Sequence, residues 1–292
     1  MRISAVVLNW KDTRRTVRCV DALTRAESIE HVFIVDNESS GELKAALAQT
    51  TFARDTTWSL IEVAENRGFA GGVNLALTES VESGFEATLV INNDAVIDEH
   101  SISLLAGVFE SDPRTGLAGP RIVHPDGTAE SAGGYLTPLL GTTSHRALLK
   151  REPDFITWAC VLVRAEALTE VGLLDDRFFM YWEDVDFSLR LRAAGWAAKV
   201  CHEATATHEV STNRTSYPVA IKAYHTWSSI LFSRKHKGAW SAGRWVWLLS
   251  STGVNAVRFR AGALRGLRQG LRLSNENAVP AYTSAARLRE FG

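Results

Sequence analysis

Cysteine is scarce in this chain and poorly spaced for pairing. Cys19, Cys160 and Cys201 are an odd number with no C-x-x-C among them, and each lies in or beside an apolar stretch. That pattern points to buried free thiols in a reducing compartment. An excess of charge of one sign is also missing: 32 basic residues face 33 acidic ones, a net −1. Nothing in that balance calls for nucleic acid as a partner. Long hydrophobic runs are absent as well. The longest uncharged run near the C-terminus, Trp245 to Val257, is interrupted by Ser250, Ser251, Thr252, Gly253 and Asn255. A membrane-spanning helix needs about 20 apolar residues. At the other end, Ile3 to Leu8 is too short for a signal-peptide core and stops at Asn9. The expectation is a cytoplasmic protein, peripheral to the inner face of the membrane at most. Gly68, Gly71 and Gly72 match neither G-x-G-x-x-G nor the P-loop, and they follow the third apolar run, not the first. A dinucleotide-binding dehydrogenase is thereby disfavoured. No Ser-His-Asp order, activated cysteine or internal repeat stands out.

What is present is an alternation of strand and helix patterns along 292 residues, 46% apolar and 22% charged. Strands are predicted at Ile3 to Leu8, His31 to Val35, Trp58 to Val63, Leu89 to Ile91 and Thr157 to Val163. Helices are predicted at Thr13 to Ala26 and from about Val73 to Ser83. Apolar runs separated by helices mean an α/β fold with a mostly parallel sheet covered on both faces. Ligands of such sheets bind beyond the carboxyl ends of the strands, where Asn9, Asp36, Arg67 and Asp94 fall. Pro120 to Leu140 reads as a hairpin or extended excursion, and Gly141 to Pro153 as a mobile loop. Helices resume at Val219 to Lys235, Trp240 to Val257 and a Gly- and Arg-rich stretch to Leu273, with a mobile tail from Ser274. We therefore divide the chain into a domain at 1–216 and a helical appendage at 217–292.

The densest signal is the run from Phe178 to Asp186, where Glu183, Asp184 and Asp186 crowd three carboxylates behind an aromatic approach. Such clusters usually have a cation or a proton to move nearby. Successive helical residues point about 100° apart, so the three cannot share a target. Asp186 has Arg190 one turn on and reads as an ion-paired structural residue, which leaves Glu183 or Asp184 free to act as a general base. Asp94, ending Leu89 to Asp94, reads either as a ligand for a hard cation or as a turn or helix cap. His208 reads either as a metal ligand or as a polar residue where a strand surfaces. Imidazole beside carboxylate would tolerate Mn2+ as well as Mg2+.

Four segments together resemble glycosyltransferase family 2 of the GT-A fold, in its bacterial rhamnosyltransferase and galactofuranosyltransferase branch. They are Val6 to Trp10 with Val35 to Asn37; Glu65 to Asn74; Ile91 to Asp94; and Phe179 to Arg190 followed by His208. The resemblance implies a GT-A Rossmann-like sheet with a C-terminal helical appendage, spanning roughly residues 2 to 235. It implies that Asp36 binds the donor base, that Arg67 closes over the nucleoside, and that Asn9 and Asn93 belong to the donor-binding set. Asp94 would be the metal-binding Asp of the D-x-D element, whose first position is Asn92 here. The cation, Mg2+ or Mn2+, would then rest on Asp94, His208 and the diphosphate. Asp184 would be the base, kept ionised by the helix dipole, with Glu183 beside it and Trp158 and Trp182 in the acceptor wall. The implied chemistry is an in-line displacement with inversion, from dTDP-rhamnose or a UDP-sugar to a hydroxyl of a glycan or lipid-linked acceptor. A sugar-phosphate nucleotidyltransferase would carry a Gly-rich basic loop where this chain has Asn9-Trp10-Lys11-Asp12. A non-catalytic sugar-nucleotide-binding scaffold would not need Asp94, Glu183, Asp184 and His208 together.

From Arg234 to Arg272 there are nine Lys or Arg and no acid, with Trp240, Trp245 and Trp247 among them. This region is expected to meet an anionic membrane surface. The alternative is packing on the catalytic domain or a homodimer contact.

Overall fold

The computed structural model describes residues 1–52, 57–145, 152–209, 218–236, 239–257 and 261–275. The first third alternates: β1 (Ile3–Asn9), α1 (Thr13–Arg25), β2 (Ile29–Asn37), α2 (Glu42–Gln49), β3 (Thr57–Val63), α3 (Gly68–Glu82) and β4 (Ala87–Asn92). Next come β5 (Ala95–Ile97), α4 (Glu99–Ser111), β6 (Thr115–Val123) and the short strands β7 (Ala129–Ser131), β8 (Tyr135–Thr137) and β9 (Thr142–Ser144). A 3-10 turn at Pro138–Leu140 joins the last two. Then follow β10 (Cys160–Arg164), α5 (Ala165–Val171), α6 (Glu183–Ala193) and β11 (Ala197–His208). Three helices end the described chain: α7 (Pro218–Lys235), α8 (Ala239–Val257) and α9 (Ala261–Asn275).

The main sheet runs β3-β2-β1-β4-β10-β6-β11-β5, with β7 on β6. Its first four strands are parallel, as is the β6–β11 pair, while β10 and β5 run against their neighbours. This is the expected mostly parallel α/β sheet. Strand alternation divides the core: Ile3, Ala5 and Val7 join α1, α2 and α4 on one face, and Val6 joins α3, α5 and α6 on the other. Helix α1 begins where Asp12 accepts the Arg15 amide at 3.3 Å. It buries Thr16, Cys19, Val20 and Leu23, one stripe at helical spacing.

Four expectations are corrected. Residues 120–140 do not form one excursion, because Pro120 lies inside β6, between β10 and β11. A Cβ on Gly116 would stand 2.8 Å from Leu191 Cδ1, and one on Gly119 would collide with Ile156. These two glycines of β6 are there for close packing. Helix α3 starts at Gly68, five residues before the expected Val73. Strand β10 starts at Cys160, because Trp158 and Ala159 form a turn at the end of β4, where the Ala159 carbonyl accepts the Asn92 amide at 2.9 Å. Of the loop expected at 141–153, Thr142–Ser144 instead pairs with β8. Residues 146–151 of that loop, and 276–292 of the expected tail, lie outside the described residues.

All three cysteines are free and buried, as expected. Helix α7 is stitched to the segment before α6: Ser228 Oγ donates to the Met180 carbonyl at 2.8 Å, and Tyr224 stacks on Phe179 at 4.5 Å. Helix α9 packs on α7 through Gly266 and Gly270, where a Cβ would meet the Val219 and Ala223 carbonyl oxygens at 2.7 and 2.6 Å. Among the described residues no helix is long and apolar enough to cross a membrane.

Candidate active site

The strand ends are knitted together by amides. Asn93 Nδ2 donates to Thr16 Oγ1 at 2.9 Å, Thr16 Oγ1 to Asn9 Oδ1 at 2.7 Å, and Asn9 Nδ2 to Asp36 Oδ1 at 2.7 Å. This chain ties the carboxyl ends of β4, β1 and β2 to the first turn of α1. Asn37 continues it, accepting the Arg67 amide at 2.8 Å and donating to Asn66 Oδ1 and the Gly68 carbonyl at 3.0 Å each. Asn37 and Asn66 were not singled out as site residues by sequence, because their role is to hold the turn that follows the neighbouring strand β3. Gly68 is in the left-handed region (φ 71°), and a Cβ there would collide with the Phe179 carbonyl.

Beside these ends opens a cavity of about 1060 Å³. Of the expected donor-binding residues, Asn93 and Asp94 line it. Asn9 and Asp36 do not line it and are buried against one another, and Arg67, also outside the lining, is exposed. The register of β5 against β11 pairs Ala95 with His208, which brings Asp94 and His208 together from opposite halves of the chain. Asp94 Oδ1 lies 3.1 Å from His208 Nε2, and Glu130 Oε2 lies 2.8 Å from His208 Nδ1. Burial opposes charge on the ring, but the two carboxylates prevail and raise its pKa to about 9. Glu130, on β7, is a site residue that sequence reading missed. No spacing marks it, and only the β6–β7 pairing delivers it.

The acidic run forms the next wall. Tyr181 and Trp182 both adopt left-handed backbone (φ 69° and 71°), a costly state for residues with a Cβ. Trp182 caps α6 and packs on Phe232 at 4.8 Å between ring centroids. Glu183 and Asp184 are therefore the first two residues of α6, and both line the cavity. Asp186 turns away: Arg190 Nε reaches it at 2.9 Å, joined by Lys235 and His236 at 2.8 Å each, as its expected structural role requires. Asp184 is half-buried and accepts the Val185 amide at 2.8 Å. Contrary to the helix-dipole expectation, burial outweighs the helix terminus and raises its pKa to about 6. Burial and the Asp184 charge push Glu183 well above the usual carboxylate range. Trp158 is 2% and Glu183 7% exposed, and both line the cavity. Trp158 Nε1 and Glu183 Oε2 have no hydrogen-bond partner among the described residues.

Residues 1–243 match the family described as glycosyltransferase like family 2. The chain belongs to that family. The N-acetylglucosaminyl-diphospho-decaprenol L-rhamnosyltransferase of Mycobacterium tuberculosis is 26% identical over 272 residues, 83% of this chain and 87% of that protein. The low-salt glycan biosynthesis hexosyltransferase Agl10 of Haloferax volcanii is 24% identical over 76% of this chain and 72% of its own length. The structure of mannosyltransferase PcManGT from Pyrobaculum calidifontis, with GDP-Man and Mn2+, superposes with a TM-score of 0.60. It is 16% identical and covers 99% of this chain and 78% of that one. The fold is thus that of the GT-A glycosyltransferases.

In this glycosyltransferase, Asp94 and His208 suit a divalent cation. Two neighbouring ligands on an octahedral cation, at about 2.1 Å each, lie about 3 Å apart, which is the separation seen. Among the described residues no three metal-ligating side chains converge. Any remaining positions would have to be filled by substrate oxygens and water. A cation bound there would displace the imidazolium proton, and Glu130 would hold the ring in register.

Proposed function

We propose that this family member is an inverting glycosyltransferase. Our leading donor is dTDP-rhamnose, and the acceptor is a hydroxyl of a glycan or glycolipid. The observation that carries the reading is the Glu183–Asp184 step at the start of α6, facing the same cavity as Asp94 and His208. Asp184, with a pKa of about 6, is ionised at neutral pH and takes the acceptor hydroxyl proton as its oxygen attacks the anomeric carbon. Glu183 Oε2 and Trp158 Nε1, buried polar atoms with no hydrogen-bond partner among the described residues, are offered to an acceptor sugar, with Trp182 beside them. The donor nucleoside would lie at the ends of β1–β3, with Asp36, braced by Asn9, reading the base and Arg67 covering it. Asn93 and Asp94 would face the diphosphate. A Mg2+ or Mn2+ ion on Asp94 and His208 would supply positive charge for the departing nucleoside diphosphate. The presence of Mn2+ beside GDP-Man in the mannosyltransferase structure supports that choice. The name of the mycobacterial relative supports rhamnose and a lipid-linked acceptor. We also infer peripheral attachment to an anionic membrane surface through α8.

The test is thermal shift with dTDP, UDP and GDP, each with and without Mn2+, followed by transfer from the best donor. A ligand at 100 times its dissociation constant stabilises by about 2.7 kcal/mol, enough to rank the three. A dTDP preference that needs Mn2+, with inverted product, is expected. Stabilisation by UDP alone would move the donor to a UDP-sugar, and full turnover in excess EDTA would remove the cation.

A further inference from the structure

Among the described lining residues, one lysine and no arginine face the cavity: Lys222, on α7. Its surroundings are built and not incidental. The ammonium lies 4.8 Å from the Trp247 ring centroid, a cation–π contact with α8. Its stem rests on α9 at Gly266, where a Cβ would stand 2.7 Å from Lys222 Cβ. Three helices thus converge on one half-buried cation. Among the described residues Lys222 makes no ion pair with a carboxylate, although Glu183 and Asp184 line the same cavity. Withdrawing an ammonium from water without a counter-ion is costly. An anion that arrives with substrate repays that cost.

We propose that Lys222 receives a phosphate group carried by the acceptor, at a subsite walled by Trp247, Ser250 and Gly262. This rests on the glycosyltransferase reading and adds to it the chemical class of the acceptor, whose phosphate stays attached while its hydroxyl attacks. The choice of acceptor over donor comes from α8. Residues 247 and 251 face the cavity, whereas Trp245 and Leu249, about 200° round the same helix, are 57% and 74% exposed. Helix α8 therefore turns Trp247 toward the Lys222 ammonium of α7 and an open apolar surface away from it. That arrangement suits a sugar phosphate with an apolar chain attached.

The experiment compares wild type with Lys222→Met, which keeps the stem, and Lys222→Arg, which keeps the charge. Probes are farnesyl phosphate, farnesol as its uncharged counterpart, and dTDP and UDP with Mn2+, followed by calorimetry at two salt concentrations. A lost charge-assisted contact is worth about ten- to a hundredfold in affinity. Farnesyl phosphate should weaken by that factor in Lys222→Met and recover in Lys222→Arg, with nucleotide binding and melting temperature unchanged. Equal affinity of wild type for farnesol and farnesyl phosphate would overturn the proposal. Loss confined to dTDP and UDP would overturn it too, by giving the phosphate to the donor. Nucleotide binding by wild type tests the glycosyltransferase reading separately, so the two can fail independently.

Discussion

Asp184 carries a cost that its proposed role explains. Its folded pKa of about 6 lies above the ordinary aspartate value near 4. The folded state therefore holds this proton more tightly than the unfolded state. The sign follows: its contribution to stability is lost as pH rises from about 4 through 6, so at neutral pH the buried charge is destabilising. Asp184→Asn should lower turnover by about 10² to 10⁴, leave nucleotide binding intact and raise the melting temperature at pH 7. Near wild-type turnover in Asp184→Asn with a dead Glu183→Gln would reassign the base. In wild type, kcat/KM should climb as pH passes through about 6, and a flat profile there would count against a titrating carboxylate. Glu130 makes a second residue-scale case. It touches no substrate in our reading, but holds His208 Nδ1 at 2.8 Å. Outer partners of this kind tune metal affinity by about 10- to 100-fold. Glu130→Gln should raise the Mn2+ concentration needed for nucleotide stabilisation by such a factor, with activity recovered at saturating Mn2+. An unchanged Mn2+ titration would remove Glu130 from the site.

Elements decide how such residues meet. Apolar runs marked β1 to β4, since a strand inside a covered sheet needs a near-continuous apolar stretch, and a cluster of acids marked the start of α6. Strand β6 was not marked in this way: Pro120 in its middle reads as the start of an excursion, and Gly116 and Gly119 supply tight packing against Leu191 and Ile156 in place of apolar side chains. Asp94, Asp184 and the Asp186–Arg190 pair were likewise legible, since each sits at an element's end or one helical turn from its partner. Glu130, Asn37 and Lys222 were not, because each acquires meaning only from a neighbour brought by strand pairing or helix packing. Gly68 shows the link most directly. The Phe69 amide donates to the Phe179 carbonyl at 2.7 Å, joining the start of α3 to the approach to α6. Gly68→Ala would force both a strained φ and a collision with that carbonyl, at a cost of about 1–3 kcal/mol. Urea denaturation of the variant should show a lower midpoint with an unchanged slope. A midpoint equal to wild type would mean the junction is more yielding than its geometry indicates.

At the scale of the whole molecule, the C-terminal helices serve both faces of one wall. Helix α7 is anchored to the catalytic unit through Lys235 and His236 on Asp186, and α8 and α9 line the cavity through Trp247, Ser251 and Ala263. Cutting the chain after Lys237 would therefore open the active site along with any docking surface. The side chain of Trp240 lies outside the described residues. The outer face is better probed by substitution. Leu139, Trp245, Val246 and Leu249 are exposed apolar residues, and Arg265, Arg268 and Arg272 are exposed on the neighbouring α9. Tryptophan and basic residues suit anionic headgroups, with about 1 kcal/mol from each basic residue near the surface. Wild type should co-sediment with anionic vesicles at low salt, less at high salt, and weakly with neutral ones. Trp245→Ser combined with Leu249→Ser removes apolar area without touching the cavity, and should lower that binding several-fold while transfer to a water-soluble acceptor persists. Equal, negligible sedimentation of wild type with both vesicle types would sink the membrane reading. A dimer dissociated by the same double substitution would then assign this face to a second copy of the chain.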